Sequence, residues 1–256
     1  MIPTELHVVC MLTGDDYPDV YVDRMQSMLA RHVKSPFRLV CMTDRKRASG
    51  PEVRQFDIRG LELRRPDMRP TTSKLLLFDR DTLPFHEFLY LDVTTVIQRD
   101  MTPLLEFAFG RQEDLVVQKD WNYDAYNTCA MRIRHGDALQ TVYDAFVAGK
   151  RFPYRVPGDQ DFLTGCIRYS RLEDRVALFP EGMVGSYRNA RYLHRKDPKA
   201  AYESLKDAIV VKFLGRDKPH QMMNPIHRNL WVRIGRLWHG PADAKFWMKE
   251  LREHWR

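Results

Sequence analysis

Asp92 interrupts the apolar run Phe88-Leu89-Tyr90-Leu91-Asp92-Val93-Thr94-Thr95-Val96-Ile97. A run of this length, rich in β-branched and aromatic residues, suits a strand buried on both faces. A carboxylate there is costly unless something pairs with it. Two roles fit: a cap on a neighbouring backbone turn, or a ligand contact at the carboxyl edge of a central strand, where open α/β sheets bind. More carboxylates stand at element ends. Asp15 and Asp16 follow Gly14 in the turn after a first apolar run, a usual resting place for a nucleotide base or ribose. Asp159 and Asp161 flank Gln160 at a helix start, where the dipole favours acidic residues whatever their function.

The elements that must hold these groups follow from periodicity. Leu6–Leu12 reads as a first buried strand, and Pro36–Met42 and Val53–Ile58 as two more. Tyr17 to Arg31 has helical spacing in Val20, Val22, Met25, Met28 and Leu29. Thr71, Thr72 and Ser73 offer hydroxyl caps to a helix starting at Lys74. A turn at Asp100 leads into a short helix, and Arg175–Phe179 and Ile209–Leu214 read as late strands. Arg59 to Pro70 and Arg188 to Lys199 are basic stretches expected to be loops. Strands alternating with helices predict parallel βα units. Neither G-x-G-x-x-G nor G-x-x-x-x-G-K-[ST] occurs, so dinucleotide and P-loop sites lose their main support. The chain divides into one α/β domain over 1–224 and an appendage over 225–256.

Composition narrows the class. A formal net charge of +7 implies an anionic partner: nucleotide, phosphorylated lipid, membrane surface or nucleic acid. The four cysteines are far apart and form no C-x-x-C pair, which predicts buried free thiols in a reducing compartment. No apolar run approaches the roughly 20 residues that span a bilayer, and no signal peptide opens the sequence. The expected location is cytoplasmic, with the membrane's cytoplasmic face as an option. Two basic amphipathic stretches after Pro225, with Trp231, Trp238, Trp247 and Trp255, either pack on the domain or lie on an anionic membrane.

Four segments in order carry a resemblance: Leu12-Thr13-Gly14-Asp15-Asp16-Tyr17, Ser73-Lys74-Leu75, Tyr90-Leu91-Asp92-Val93-Thr94-Thr95 and Lys212-Phe213-Leu214-Gly215-Arg216-Asp217-Lys218-Pro219. Together they resemble the retaining GT-A glycosyltransferases typified by glycogenin and the bacterial lipooligosaccharide α-galactosyltransferases. The likeness runs from about residue 6 to 220. It implies a Rossmann-like, mainly parallel mixed sheet flanked by helices, with C-terminal helices. It also implies a nucleotide-sugar donor, most often a UDP-sugar, a hydroxyl acceptor on a glycan or lipid-linked molecule, and retained anomeric configuration. Trp121 to Met131 is similar to the family's asparagine-led strand, which places Asp120 and Asn127 at the sugar hydroxyls. Pro157 to Leu163 is similar to its Asp-Gln helix start, which places Asp159 and Gln160 beside the anomeric carbon. Thr13, Asp15, Asp16 and Tyr17 would then meet the base or ribose, although Tyr17 also suits packing on the sheet. Asp92 would accept from the ribose hydroxyls, with Thr94 and Gly215 lining the donor.

The chain departs from that family at the metal. A D-x-D pair and a later His normally hold a divalent cation against the donor's phosphates; here Thr94 replaces the second carboxylate and Lys212 the His. The departure predicts a site that needs no Mn²⁺ or Mg²⁺, because a lysine can meet the diphosphate charge instead. Lys212 and Lys218, helped by Lys74, are the expected clamp. Three alternatives stay open: Lys212 turned to solvent over a silent site, a relative that only binds nucleotide, and a nucleic-acid-modifying enzyme.

Overall fold

The computed structural model describes residues 2–215 apart from Glu62, then 218–220, 251 and 253–255. Along the chain run β1 (Leu6–Leu12), α1 (Val20–His32), β2 (Phe37–Thr43), β3 (Val53–Asp57), a 3₁₀ segment (Pro70–Phe78), β4 (Glu87–Leu91) and β5 (Thr95–Ile97). There follow α2 (Thr102–Gly110), β6 (Leu115–Lys119), β7 (Tyr126–Arg134), α3 (Asp137–Val147) and α4 (Asp159–Tyr169). After a 3₁₀ turn at Glu173–Arg175 come β8 (Val176–Leu178), β9 (Val184–Ser186), α5 (Tyr187–His194), α6 (Pro198–Lys206) and β10 (Val210–Lys212).

Seven strands form the main sheet in the order β3-β2-β1-β4-β7-β6-β8. All neighbours are parallel except where β7 joins β4 and β6. The apolar runs explain the layering. Side chains alternate across a strand, so Val8, Cys10 and Leu12 of β1 meet Tyr21 and Met25 of α1 on one face. Val9 and Met11 meet Leu75, Leu76 and Leu77 of the 3₁₀ segment on the other. A sheet covered on both sides leaves its strand ends as the places where polar groups converge. A second sheet, β5-β10-β9, leans on that edge, and β10 runs antiparallel to β5 with Lys212 opposite Thr95.

Four sequence expectations need correction. The run 88–97 is two strands in different sheets, because Thr95 donates its N–H (3.0 Å) and hydroxyl (2.7 Å) back to the Asp92 carbonyl and turns the chain. The helix after the first turn begins at Val20, so Tyr17 precedes it. Lys74 lies within 3₁₀ structure that Pro70 opens. The stretch 188–199 holds most of α5, a turn at 195–197 and the start of α6. Ser186 accepts from the Asn189 N–H at 3.3 Å and Asp197 from that of Ala200 at 2.9 Å, capping α5 and α6. Buried Tyr187, Ala190 and Ala201 anchor those helices, and they are too few to stand out from the surrounding charge.

The four cysteines are free and buried. The appendage expected over 225–256 lies outside the described residues apart from 251 and 253–255. Of these, Leu251 and Trp255 are buried, with the Trp255 ring 5.3 Å from that of Tyr21. No helix among the described residues is long and apolar enough to cross a membrane.

Candidate active site

Asp92 is the first residue after β4, at the carboxyl edge of the sheet. Its N–H is held by the Cys129 carbonyl of β7 at 2.9 Å. Its carboxylate is the hub of a buried charge cluster. Oδ1 faces the Lys74 ammonium at 2.7 Å and accepts from the Tyr90 hydroxyl at 2.7 Å. Oδ2 accepts from Lys212, which also donates to the Thr94 hydroxyl at 2.5 Å. The second sheet sets that contact, because Phe213 N–H donates to the Thr94 carbonyl at 3.0 Å and holds β10 against the turn. On the far side, Lys74 lies 3.6 Å from Asp159 Oδ2 and donates to the Thr128 hydroxyl at 3.4 Å, while Thr128 donates to Asp159. Lys212 is only 6% exposed and Asp159 5%. Asp92 and Lys74 are half-buried, with side chains 14% and 15% exposed, so two lysines and two aspartates cancel where little water reaches.

Burial alone would raise the Asp92 carboxyl, but the ammonium groups of Lys212 and Lys74 outweigh it and hold it well below the usual carboxylate range. Burial works against the Lys74 ammonium too, and Asp92 and Asp159 reverse it, raising Lys74 above the ordinary lysine range. The neighbouring Cys129 thiol is pushed up to about 12, chiefly by burial, so it is a packing residue and not a nucleophile. A pH dependence follows. Asp92 contributes stability that is complete above about pH 3.9, its unfolded value, and is lost as pH falls through the depressed folded value. Lys74 contributes fully below about pH 10.4 and loses its share as pH climbs through the raised folded value. The stability gap between wild type and Asp92→Asn, read by urea unfolding, is therefore expected to be level from pH 5 to 9 and to close below about pH 4.

The other residues singled out from sequence frame this cluster. Thr13 is half-buried in the turn after β1; Asp15 and Asp16 are exposed, and Asp15 pairs with Arg45. Tyr17 packs against the core, with the Lys218 ammonium 5.0 Å from its ring centroid. Burial raises its phenol, against the pull of the Lys212 ammonium. Asn127 is buried and donates to Asp120 Oδ2 at 2.9 Å, while Asp120 Oδ1 caps the Asn122 N–H at 3.0 Å. Asp161 accepts from the Val156 N–H, a structural role at the helix start. Gly215 takes a left-handed φ of +68° just beyond β10. Gln160 is half-buried at the opening of α4.

Three contributors were given no role from the sequence. Tyr90 and Thr128 sit in apolar runs and look like packing residues. Arg47 belongs to the charged tract Arg45-Lys46-Arg47, and its side chain is fully buried. It donates to the carbonyls of Leu12 (3.1 Å) and Gly14 (2.9 Å), to Asp44 (2.8 Å) and to Thr43 (3.0 Å). Arg47 therefore sets the shape of the turn that carries Thr13 and Asp15.

The ligand set at Asp92 does not suit a divalent cation. Such an ion takes six or more oxygen ligands, whereas two ammonium groups and a phenol already occupy this carboxylate. No group of three His, Cys, Asp or Glu that could hold a metal exists among the described residues.

No protein-family profile and no curated protein sequence matches the chain. Solved structures do. The galactosyltransferase LgtC, in complex with donor and acceptor sugar analogues, superposes with a TM-score of 0.56 at 15% identity, over 97% of this chain and 95% of that one. The glycosyltransferase GlyE of Streptococcus pneumoniae TIGR4 gives 0.59 at 15% identity, over 97% of this chain and 64% of that one. The bifunctional glycosyltransferase WbbM gives 0.60 at 14% identity, over 97% and 51%. The chain has the GT-A fold of these glycosyltransferases.

Proposed function

We propose that this chain is a retaining glycosyltransferase that moves a sugar from a nucleotide donor, a UDP-sugar, to a hydroxyl acceptor without a divalent cation. One observation carries the reading: Lys212 meets both Asp92 and Thr94 at the sheet edge where donors bind in this fold. Breaking the bond between C1 and the phosphate oxygen leaves the electron pair on the diphosphate. A cation fixed in a dry place stabilises that charge without reorganisation. Lys212 supplies it, with Lys74 behind Asp92 and Lys218 beside Tyr17. Phosphate oxygens entering the cluster would share the ammonium hydrogens that Asp92 and Thr94 now accept. The acceptor oxygen then bonds C1 on the face the diphosphate leaves, and its proton passes to the departing phosphate oxygen. Asp159 and Gln160, at the start of α4, would face the positive charge that develops on the sugar.

A second reading has its own support. Lys74 and Lys212 are already paired with aspartates, which fits a chain that holds nucleotide and does not turn over. Hydrolysis or transfer of UDP-sugars in excess chelator separates the two. Turnover that persists in chelator is the expected result; turnover that vanishes and returns with Mn²⁺ would overturn the metal-free mechanism.

A further inference from the structure

Helix α5 keeps its apolar and basic residues apart. Tyr187 and Ala190 are buried, and the Tyr187 ring stacks on Phe213 with centroids 4.4 Å apart. Phe213 follows Lys212 directly, so the helix is fixed to the strand that carries the site's cation. Arg188, Arg191 and Tyr192 stand at i, i+3 and i+4 on one face of α5, and Arg195, its C-cap residue, continues that face at i+7. Their three guanidinium carbons lie 5.6, 5.4 and 5.2 Å from the Tyr192 ring centroid. Tyr192 is 43% exposed, and Arg188 and Arg195 are exposed as well.

Between Tyr187 and Lys199 there are five Lys or Arg and one acidic residue, Asp197, whose carboxylate caps α6. Arg188 has no carboxylate partner among the described residues. The face also has a direction. Arg188 Nη1 lies 3.8 Å from the point a Cβ on Gly215 would occupy, just past Lys212. Asn189 exchanges amide hydrogen bonds of 3.1 and 3.3 Å with Asn122, in the loop that carries Asp120. The basic face therefore starts at the rim of the site and leads away from it.

We propose that the outward face of α5 binds a phosphate group of the acceptor, so that the sugar is delivered to a hydroxyl of a phosphorylated molecule. Arginine forks suit phosphate oxygens, and the Tyr192 hydroxyl adds a donor between them. The assignment rests on the transferase reading above. The phosphate belongs to a soluble sugar phosphate or to a lipid headgroup.

Binding by the full chain tests it, with hexose 6-phosphate as the soluble probe and phosphatidylcholine vesicles carrying phosphatidate as the lipid one. The proteins compared are wild type, the Arg188→Gln, Arg195→Gln double variant and Lys212→Met. An unchanged melting temperature shows that the double variant folds, and the corresponding double change to lysine, which keeps the charges, is expected to retain part of the affinity. Affinity for one of the probes is expected to fall by about tenfold or more in the double variant and to hold in Lys212→Met. The probe that responds identifies the source. Failure of both probes to bind, or loss only in Lys212→Met, would overturn the assignment. So would tighter binding of a single-stranded oligonucleotide that is lost in the same double variant. A UDP-sugar titration run alongside reports on the donor site separately, so the two readings fail independently.

Discussion

The Asp92→Ala variant is expected to lose about 3–5 kcal/mol of folding stability, the usual result of removing one partner from a buried ion pair. The reason is the company Asp92 keeps. It is the shared partner of Lys74 and Lys212, and only Asp159, 3.6 Å from Lys74, would remain to offset two buried ammonium groups. Tyr90 would also lose the acceptor of its hydroxyl. A second change distinguishes this cause from a simple cavity. Adding Lys212→Met to Asp92→Ala removes one orphaned charge, so the double variant is expected to be more stable than Asp92→Ala alone. A double-mutant cycle of urea unfolding energies measures the coupling directly. Additive losses would mean that Lys212 and Asp92 do not act as a pair.

The second large effect is a change of cation. The Thr94→Asp, Lys212→His double variant restores two ligand types beside Asp92 and removes the ammonium that competes with a metal. Both positions already touch: the Lys212 ammonium is 2.5 Å from the Thr94 hydroxyl, and the β5–β10 ladder keeps the two backbones in register. This variant is expected to bind Mn²⁺ and to need it for transfer, whereas wild type is indifferent to it. Lys212→Met alone is expected to lose about a hundred- to a thousand-fold in kcat, the range seen when one donor to a developing oxyanion is deleted. Manganese titration by calorimetry and initial rates in chelator check both statements.

Much of the fold was legible in the sequence because its strands are covered on both faces. Buried runs such as Leu6–Leu12 and Phe37–Thr43 need no partner to be recognised. Asp92 stood out for the same reason, being a carboxylate in an apolar run. Lys212 stood out only through the resemblance, as a lysine where a metal-binding His was expected. What stayed hidden was pairing across distance. Nothing in the spacing says that Lys74 and Lys212 close on the two oxygens of one carboxylate, or that Thr128 links Lys74 to Asp159. Arg47 was hidden because a buried arginine and a solvated one look alike in a charged tract. Helix α5 was misread for a similar reason: two buried side chains are enough to seat a short helix, but too few to show through the basic residues around them. The turn at Asp92 was missed because apolar residues continue past it into a different sheet.

The proposed replacement of a metal by Lys212 is tested most directly by titrating UDP into wild type and Lys212→Met with excess chelator present. Binding by wild type in chelator, weakened at least about tenfold by the substitution, is the expected result. Binding that requires added Mn²⁺ and is the same in both proteins would contradict it.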